Sequence, residues 1–199
     1  MNKTFLDAVK HRRSYYDILG ESTVSDARLE EIIGDIVKSA PSAFNSQSTR
    51  VVLLLGEEHG AFWDLTEAEL KKVVAEENFA STKEKIESFR KGYGTVLYFE
   101  ETEVIKGLQE KFPLYAQNFA KWSEHTNAIH QFAIWTALED EGLGASLQHY
   151  TELVEEAVRQ RWGLKSSWKL IAQMPFGKPG SQPGEKDVQP LEERFLVKK

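Results

Sequence analysis

The chain has 199 residues, with 25 Lys+Arg against 31 Asp+Glu and a formal net charge of −6. An acidic chain lacks the basic footprint that nucleic acid or an anionic membrane surface requires, so neither is expected as a partner. With no cysteine, disulfides, thiolate catalysis and Cys-bound zinc are excluded.

A chain of this length buries roughly 70% of the surface its unfolded form exposes, and it reads as one domain over residues 1–199. The N-terminal residues carry no apolar signal-peptide stretch, and no run approaches the roughly 18 apolar residues of a membrane span. A soluble, cytoplasmic domain is the expectation.

Phe5, Leu6 and Val9 predict a short first helix, Thr4 to His11. Leu29, Ile32, Ile33, Ile36 and Val37 recur at helical spacing, with Ser25 as N-cap and Pro41 as stop. Arg50 to Gly56 is a short apolar run with β-branched residues at its start, and reads as a buried strand. His59 to Lys91 is charged and helix-rich, with a capping-box pattern at Ser81 to Glu84.

The run from Gly94 alternates well enough for a second strand. Residues 101–122 suggest helix broken near Pro113. Ser123 to Gly144 predicts a long helix whose apolar face carries Ala128, Phe132, Trp135 and Leu138, with Ile129 and Ala133 beside them. Ala145 to Tyr150 reads as strand or strand-like turn. A helix capped by Thr151 and ended by Gly163 follows, then a strand over Trp168 to Gly177. After a Pro/Gly-rich connector, the last nine residues suggest a strand or an extended arm. The mixture is one α+β domain with about four or five strands.

Four stretches bear chemistry. His11, Arg12, Arg13 and Ser14 stand together where the first helix ends. Two guanidinium forks and a hydroxyl suit a phosphate or a flat heterocycle bearing carbonyls. Basic residues there also complement a helix dipole. Ser42 to Ser48 concentrates Ser42, Asn45, Ser46, Gln47 and Ser48. Its amides suit a pyrimidine edge, and ordinary helix-to-strand loops share the composition.

Gly142 to Tyr150 has small residues that allow close backbone approach. Lys186 is a single cation in the final connector. Other constellations are weak: His125 and His130 miss the i,i+4 spacing of metal ligands, and no GxSxG elbow exists. Trp122, Trp135, Trp162 and Trp168 read as core, as do Phe62 and Trp63.

In this order, R-R-S after a short helix, "APSAFNSQ", "WTALEDEGLGASLQHY" and "GKPGSQPGEKDVQPLEERF" resemble the nitroreductase family of FMN enzymes over nearly the whole chain. The likeness is to the compact fatty-acid-repression-mutant type. The resemblance implies a central, mainly antiparallel sheet flanked by helices, in an intertwined homodimer with two shared FMN sites. By matching motif, Arg12, Arg13 and Ser14, with His11 adjoining, hold the phosphate and the flavin pyrimidine edge. Ser42, Asn45 and Gln47 approach from the other subunit. Ser146, Leu147 and Gln148, with His149 nearby, run beside N5, and Lys186 is a phosphate ligand.

Tyr16 and Asp17 stand where the family often has a basic residue. The second basic residue of the late phosphate site is also missing, Arg194 lying eight residues on from Lys186. The implied activity is two half-reactions at one site: hydride from NAD(P)H to FMN, then electrons to a nitroaromatic, quinone or similar small acceptor. No side-chain nucleophile is required. A flavin-binding stress or lipid-signalling regulator with little turnover is the alternative, and a flavin-free helical interaction protein a third.

Overall fold

The computed structural model describes residues 4–199, and its first helix, α1 (Phe5–His11), is opened by a capping box. The Asp7 amide donates to the Thr4 hydroxyl at 3.2 Å, and the Thr4 amide donates back to the Asp7 carboxylate at 3.3 Å. That exchange satisfies two of the donors a helix start leaves open. A two-residue strand, β1 (Ile18–Leu19), follows. Helix α2 (Asp26–Ser39) starts on Ser25, whose hydroxyl accepts from the Arg28 amide, and stops before Pro41.

Strand β2 (Thr49–Leu55) leads directly into α3 (Gly56–Lys71), and α4 (Glu76–Arg90) precedes β3 (Gly94–Glu101). Next come α5 (Thr102–Lys111), a single turn at Pro113–Tyr115, and the 25-residue α6 (Ala116–Asp140). Strand β4 (Gly144–Ala145), α7 (Thr151–Trp162) and β5 (Trp168–Pro179) complete the elements of the sheet and its cover. Helix α7 ends on Gly163 in the left-handed conformation, at φ 61°, where glycine alone pays no Cβ penalty.

The five-stranded sheet runs β1-β5-β3-β2, with β4 also on β5. Every ladder is antiparallel. Strand β3 is central and buried at all eight positions, and its middle residues 96–99 are an unbroken apolar run instead of a clean alternation. Its side chains still alternate between faces. Val96 and Tyr98 join Leu29 and Ile33 of α2 and Ile134 and Leu138 of α6 in one core. Leu97 and Phe99 join Phe62 and Trp63 of α3, Phe89 of α4 and Val158 of α7 in the other. The sheet is thus the middle of three layers.

Several expectations change. Ser81 lies inside α4, not at a helix start. The long helix begins at Ala116, seven positions before Ser123. Thr151 is the first residue of α7; its N-cap is Tyr150, which makes no side-chain cap bond. Strand β1 had no sequence signal. The tail forms no strand, only a turn at Leu191–Glu193 on the surface.

The expected apolar face of α6 is split. Ile134 and Leu138 are buried, but Ile129 and Phe132 remain 42% and 43% exposed. The inward positions between are polar: Asn127 donates to the Phe99 carbonyl, and His130 pairs with the Thr126 carbonyl. No helix among the described residues is long and apolar enough to cross a membrane.

His59 marks a buried polar joint behind the sheet. Its Nε2 lies 3.0 Å from the Arg90 carbonyl, which can only accept, so Nε2 carries the proton. The Thr95 hydroxyl accepts from Trp63 Nε1 at 2.9 Å and faces His59 Nδ1 at 2.9 Å, so it donates there. Burial lowers the His59 pKa from its ordinary value of 6.5, with the Arg90 carbonyl opposing and the Arg90 charge adding to the shift. The unfolded chain therefore takes up this proton first as pH falls. Stability is complete above about pH 6.5 and declines below it. Urea unfolding midpoints measured between about pH 7.5 and 5.5 should fall with pH in the native protein and fall less in His59→Gln. Equal slopes would remove His59 as the cause.

Candidate functional site

Helix α1 ends at Arg12, where the backbone turns extended at φ −55° and ψ 122°. Ser14 then forms a parallel bridge with Ala145, and the Tyr15 amide donates to the Ala145 carbonyl at 3.0 Å. This contact requires the glycine before it: a Cβ on Gly144 would stand 2.7 Å from Tyr15 Cγ. The final connector closes over the same place. Arg13 Nη2 donates to the Gly184 carbonyl at 2.7 Å, and the Tyr15 hydroxyl to Gln182 Oε1 at 3.1 Å. A cavity of about 540 Å³ results, lined by Arg12, Arg13, Ser14, Gln182, Gly184 and Lys186 among others. The fold thus brings Lys186, distant in sequence, to the same space as the consecutive Arg12, Arg13 and Ser14.

Arg12 is held from below. Its guanidinium carbon lies 4.3 Å from the centroid of the Trp135 ring on α6, a cation–π stack. Its Nε is shielded from solvent yet has no hydrogen-bond partner, and Trp135 Nε1 is in the same condition. Desolvation lowers the Arg12 pKa; Glu139 opposes that shift and Arg13 adds to it. A partly desolvated guanidinium beside a cavity, with hydrogen-bonding capacity left over, is the chemistry an anionic ligand requires.

The strand partner of Ser14 continues through Ser146 to His149. Ser146 and Gln148 are buried; Gln148 Nε2 donates to Ser146 Oγ at 3.1 Å. Gln148 and Gln173 exchange backbone bonds of 2.7 and 2.9 Å. Leu147 packs on the first core, and His149 is exposed. His11 is also exposed, with Nδ1 2.8 Å from the Asp7 carbonyl of its own helix.

Ser42, Asn45 and Gln47 lie elsewhere. Ser42 and Gln47 line a separate groove of about 360 Å³ with Thr49, Arg50, Val37 and His130. Three residues here, none of them glycine, have left-handed backbone: Phe44 (φ 56°), Asn45 (φ 51°) and Gln47 (φ 48°). Each costs on the order of 1–3 kcal/mol, most for the bulky Phe.

Surrounding bonds impose the shape. The Gln47 amide donates to Ser42 Oγ at 3.0 Å, and Arg50 Nη1 donates to the Gln47 carbonyl at 2.7 Å. Just beyond, the buried Glu100 carboxylate accepts from Ser48 Oγ and Thr49 Oγ1, each at 2.6 Å, and from Asn127 Nδ2 at 2.9 Å. Among the described residues the Asn45 and Gln47 side-chain amides have no internal partner, and both residues are exposed.

The candidate residues therefore fall into two groups around separate cavities, with α6 passing both at Trp135 and His130. Sequence reasoning did not single out three residues at these places: Trp135, read as core; His130, weighed only as a metal ligand; and Phe44, inside a polar loop.

With this geometry in view, the comparisons are direct. The model of the nitroreductase family matches residues 9–178. The Saccharomyces cerevisiae proteins HBN1 and FRM2, the second named a nitroreductase, are each 34% identical. The HBN1 match covers 92% of both chains, and the FRM2 match 92% of this chain and 91% of the relative. The nitroreductase CinD of Lactococcus lactis, solved with chloramphenicol, superposes with a TM-score of 0.89 at 39% identity over 98% of this chain and all of that one. The same relative has been solved with 4-nitrophenol, at a TM-score of 0.88.

The Glu100 joint is testable apart from any ligand. Glu100→Gln places an amide donor among three donors, leaving buried groups mismatched at a cost of about 1–3 kcal/mol. Chemical denaturation should show that loss; a variant within about 0.5 kcal/mol of wild type would show that the carboxylate does not anchor the loop.

Proposed function

The chain belongs to the nitroreductase family, and on that premise we propose that it is an FMN-dependent oxidoreductase working as a homodimer. The carrying observation is Arg12, which stacks on Trp135, keeps an unpartnered Nε and lines a cavity with Arg13 and Lys186. Those residues fit a phosphorylated, planar cofactor. When bound, FMN supplies hydride chemistry, taking a hydride from NAD(P)H at N5 and passing two electrons to a nitroaromatic, quinone or similar small acceptor.

The protein's part is charge, orientation and access. Arg12, Arg13 and Lys186 neutralise phosphate and negative charge on the ring, and Ser14 adds a hydroxyl. Trp135 keeps the Arg12 guanidinium in place before the ligand arrives, so that little side-chain freedom is lost on binding. Ser146, Leu147 and Gln148, with His149 at the end of the segment, follow Ser14 and border the ring. Buried Ser146 and Gln148 use their polar groups on each other, which keeps that border rigid.

Ser42, Asn45 and Gln47 come from the second protomer. Two features support this. The two groups lie around separate cavities of one chain, and the amides of the second have nothing to bind within it. The protomer also exposes Phe5 and Leu6 on α1, and Ile129 and Phe132 on α6, two helices in contact; exposed apolar side chains of this kind are what copies of a chain cover in each other. The nitroaryl compounds bound by the Lactococcus relative support a nitroaromatic acceptor.

Purified protein should be yellow, bleach with NADH or NADPH under anaerobic conditions, and scatter light as a dimer. A monomer carrying a full complement of flavin would contradict the shared site. Arg12→Ala removes a charge-assisted contact of about 1.5–3 kcal/mol, so FMN should bind at least tenfold more weakly in equilibrium dialysis. Unchanged retention would remove Arg12 from the site.

A further inference from the structure

From Leu170 to Phe176, strand β5 is apolar at every position but one, Gln173. That side chain is fully buried. It points away from Ala172 and Met174, which belong to the first core, and so lies on the opposite face of the sheet. Its Oε1 accepts from the Tyr150 amide at 2.8 Å. Its Nε2 is shut from solvent and has no hydrogen-bond partner among the described residues. A buried donor left unbonded works against folding, and a methionine would fill the place without one. Packing therefore does not explain this amide; its acceptor does.

The register shows what the acceptor is for. Gly144 and Ala145 pair with Gly177 and Phe176, and the bridge of Gln148 with Gln173 keeps the same register. Between these pairs Pro175 stands opposite Ser146. Proline has no N–H to return, so only the Ser146 amide bonds there, to the Pro175 carbonyl at 3.2 Å. Past that point, the bonds that tie residues 146–150 to β5 among the described residues all run to Gln173. Two go through its backbone to Gln148, at 2.7 and 2.9 Å, and one through its side chain to Tyr150. The chain turns into α7 at Thr151, and the side-chain carbonyl supplies the rung that the departing backbone lacks.

Residues 146–149 border the flavin ring in the reading above, on which this inference rests. We propose that Gln173 is a positioning residue for flavin reduction: by holding the Tyr150 amide, it fixes the Gln148–His149 backbone against the N5 side of the ring. The unbonded Nε2 is the stability forgone for that geometry. Gln173 takes no part in the cavity of Arg12, Arg13 and Lys186, so it acts on the rate of hydride transfer and not on FMN affinity.

The test compares wild type with Gln173→Met, which keeps the side-chain length and removes the amide. Hydrogen exchange in the flavin-free proteins should find the Tyr150 amide protected in wild type and at least about tenfold faster in the variant. FMN affinity by equilibrium dialysis should stay within about twofold, because the phosphate cavity is untouched. Anaerobic reduction of the bound flavin by NADH or NADPH, followed over a single turnover, should slow about tenfold, since hydride transfer is sensitive to misplacement. If Gln173→Met does not fold, Gln173→Asn, whose amide is one methylene short of Tyr150, replaces it in all three measurements.

A Tyr150 amide that exchanges freely in wild type, or stays protected in the variant, overturns the proposal. A released amide with flavin reduction at the wild-type rate overturns it as well. Affinity and rate lost together do the same, and leave Gln173 a part of the fold alone. Wild-type protein that takes up no FMN overturns the flavoenzyme reading, and this inference with it.

Discussion

A guanidinium lies flat on an indole, its Nε shut away from water and bonded to nothing. Holding Arg12 that way is costly, because a desolvated cation gives up hydration that stacking only partly returns. The surrounding structure is organised to sustain it. Helix α1 ends at that residue, α6 supplies both Trp135 beneath and the Glu139 charge nearby, and Gly144 lets β4 approach Tyr15 closely enough to fix the chain that follows. The connector after β5 closes the other side through Arg13 and Gly184. These contacts bring Lys186, from the far end of the chain, to the cavity that the adjacent Arg12 and Arg13 line.

A second constraint, independent of charge, governs the loop of Ser42, Asn45 and Gln47. The loop after α2 carries three left-handed residues that are not glycine; Asn45 tolerates that shape, but Phe44 and Gln47 have no such preference. Neighbouring bonds impose it: Ser42 and Arg50 clamp the Gln47 backbone, and Glu100 ties the start of β2 to Asn127 of α6. Helix α6 is thus the common support of both groups, with Trp135 toward one and Asn127 and His130 toward the other.

Much of this was legible in the sequence. Apolar spacing, capping residues and glycine stops located most helices and strands, because those signals are local. The failures were also physical. The Ser81 pattern is a sound helix start in isolation, but α4 had already begun at Glu76, leaving Ser81 with ordinary helical partners. Strand β1 is two residues long and is held by the register of β5, a distant segment. The apolar stripe of α6 was visible, yet periodicity cannot say which partner covers it. Asn127 and His130 occupy inward positions because specific bonds satisfy them, while Ile129 and Phe132 face out.

By itself, then, the sequence determined the α+β composition, the order of elements and the residue types available for an anionic, planar ligand, all of which depend on neighbours in the chain. Tertiary structure alone decided that Arg12, Arg13, Ser14 and Lys186 share a cavity while Ser42, Asn45 and Gln47 do not. Those outcomes depend on strand register, on close approach at Gly144 and on backbone strain maintained by remote hydrogen bonds, none of which is written in local spacing.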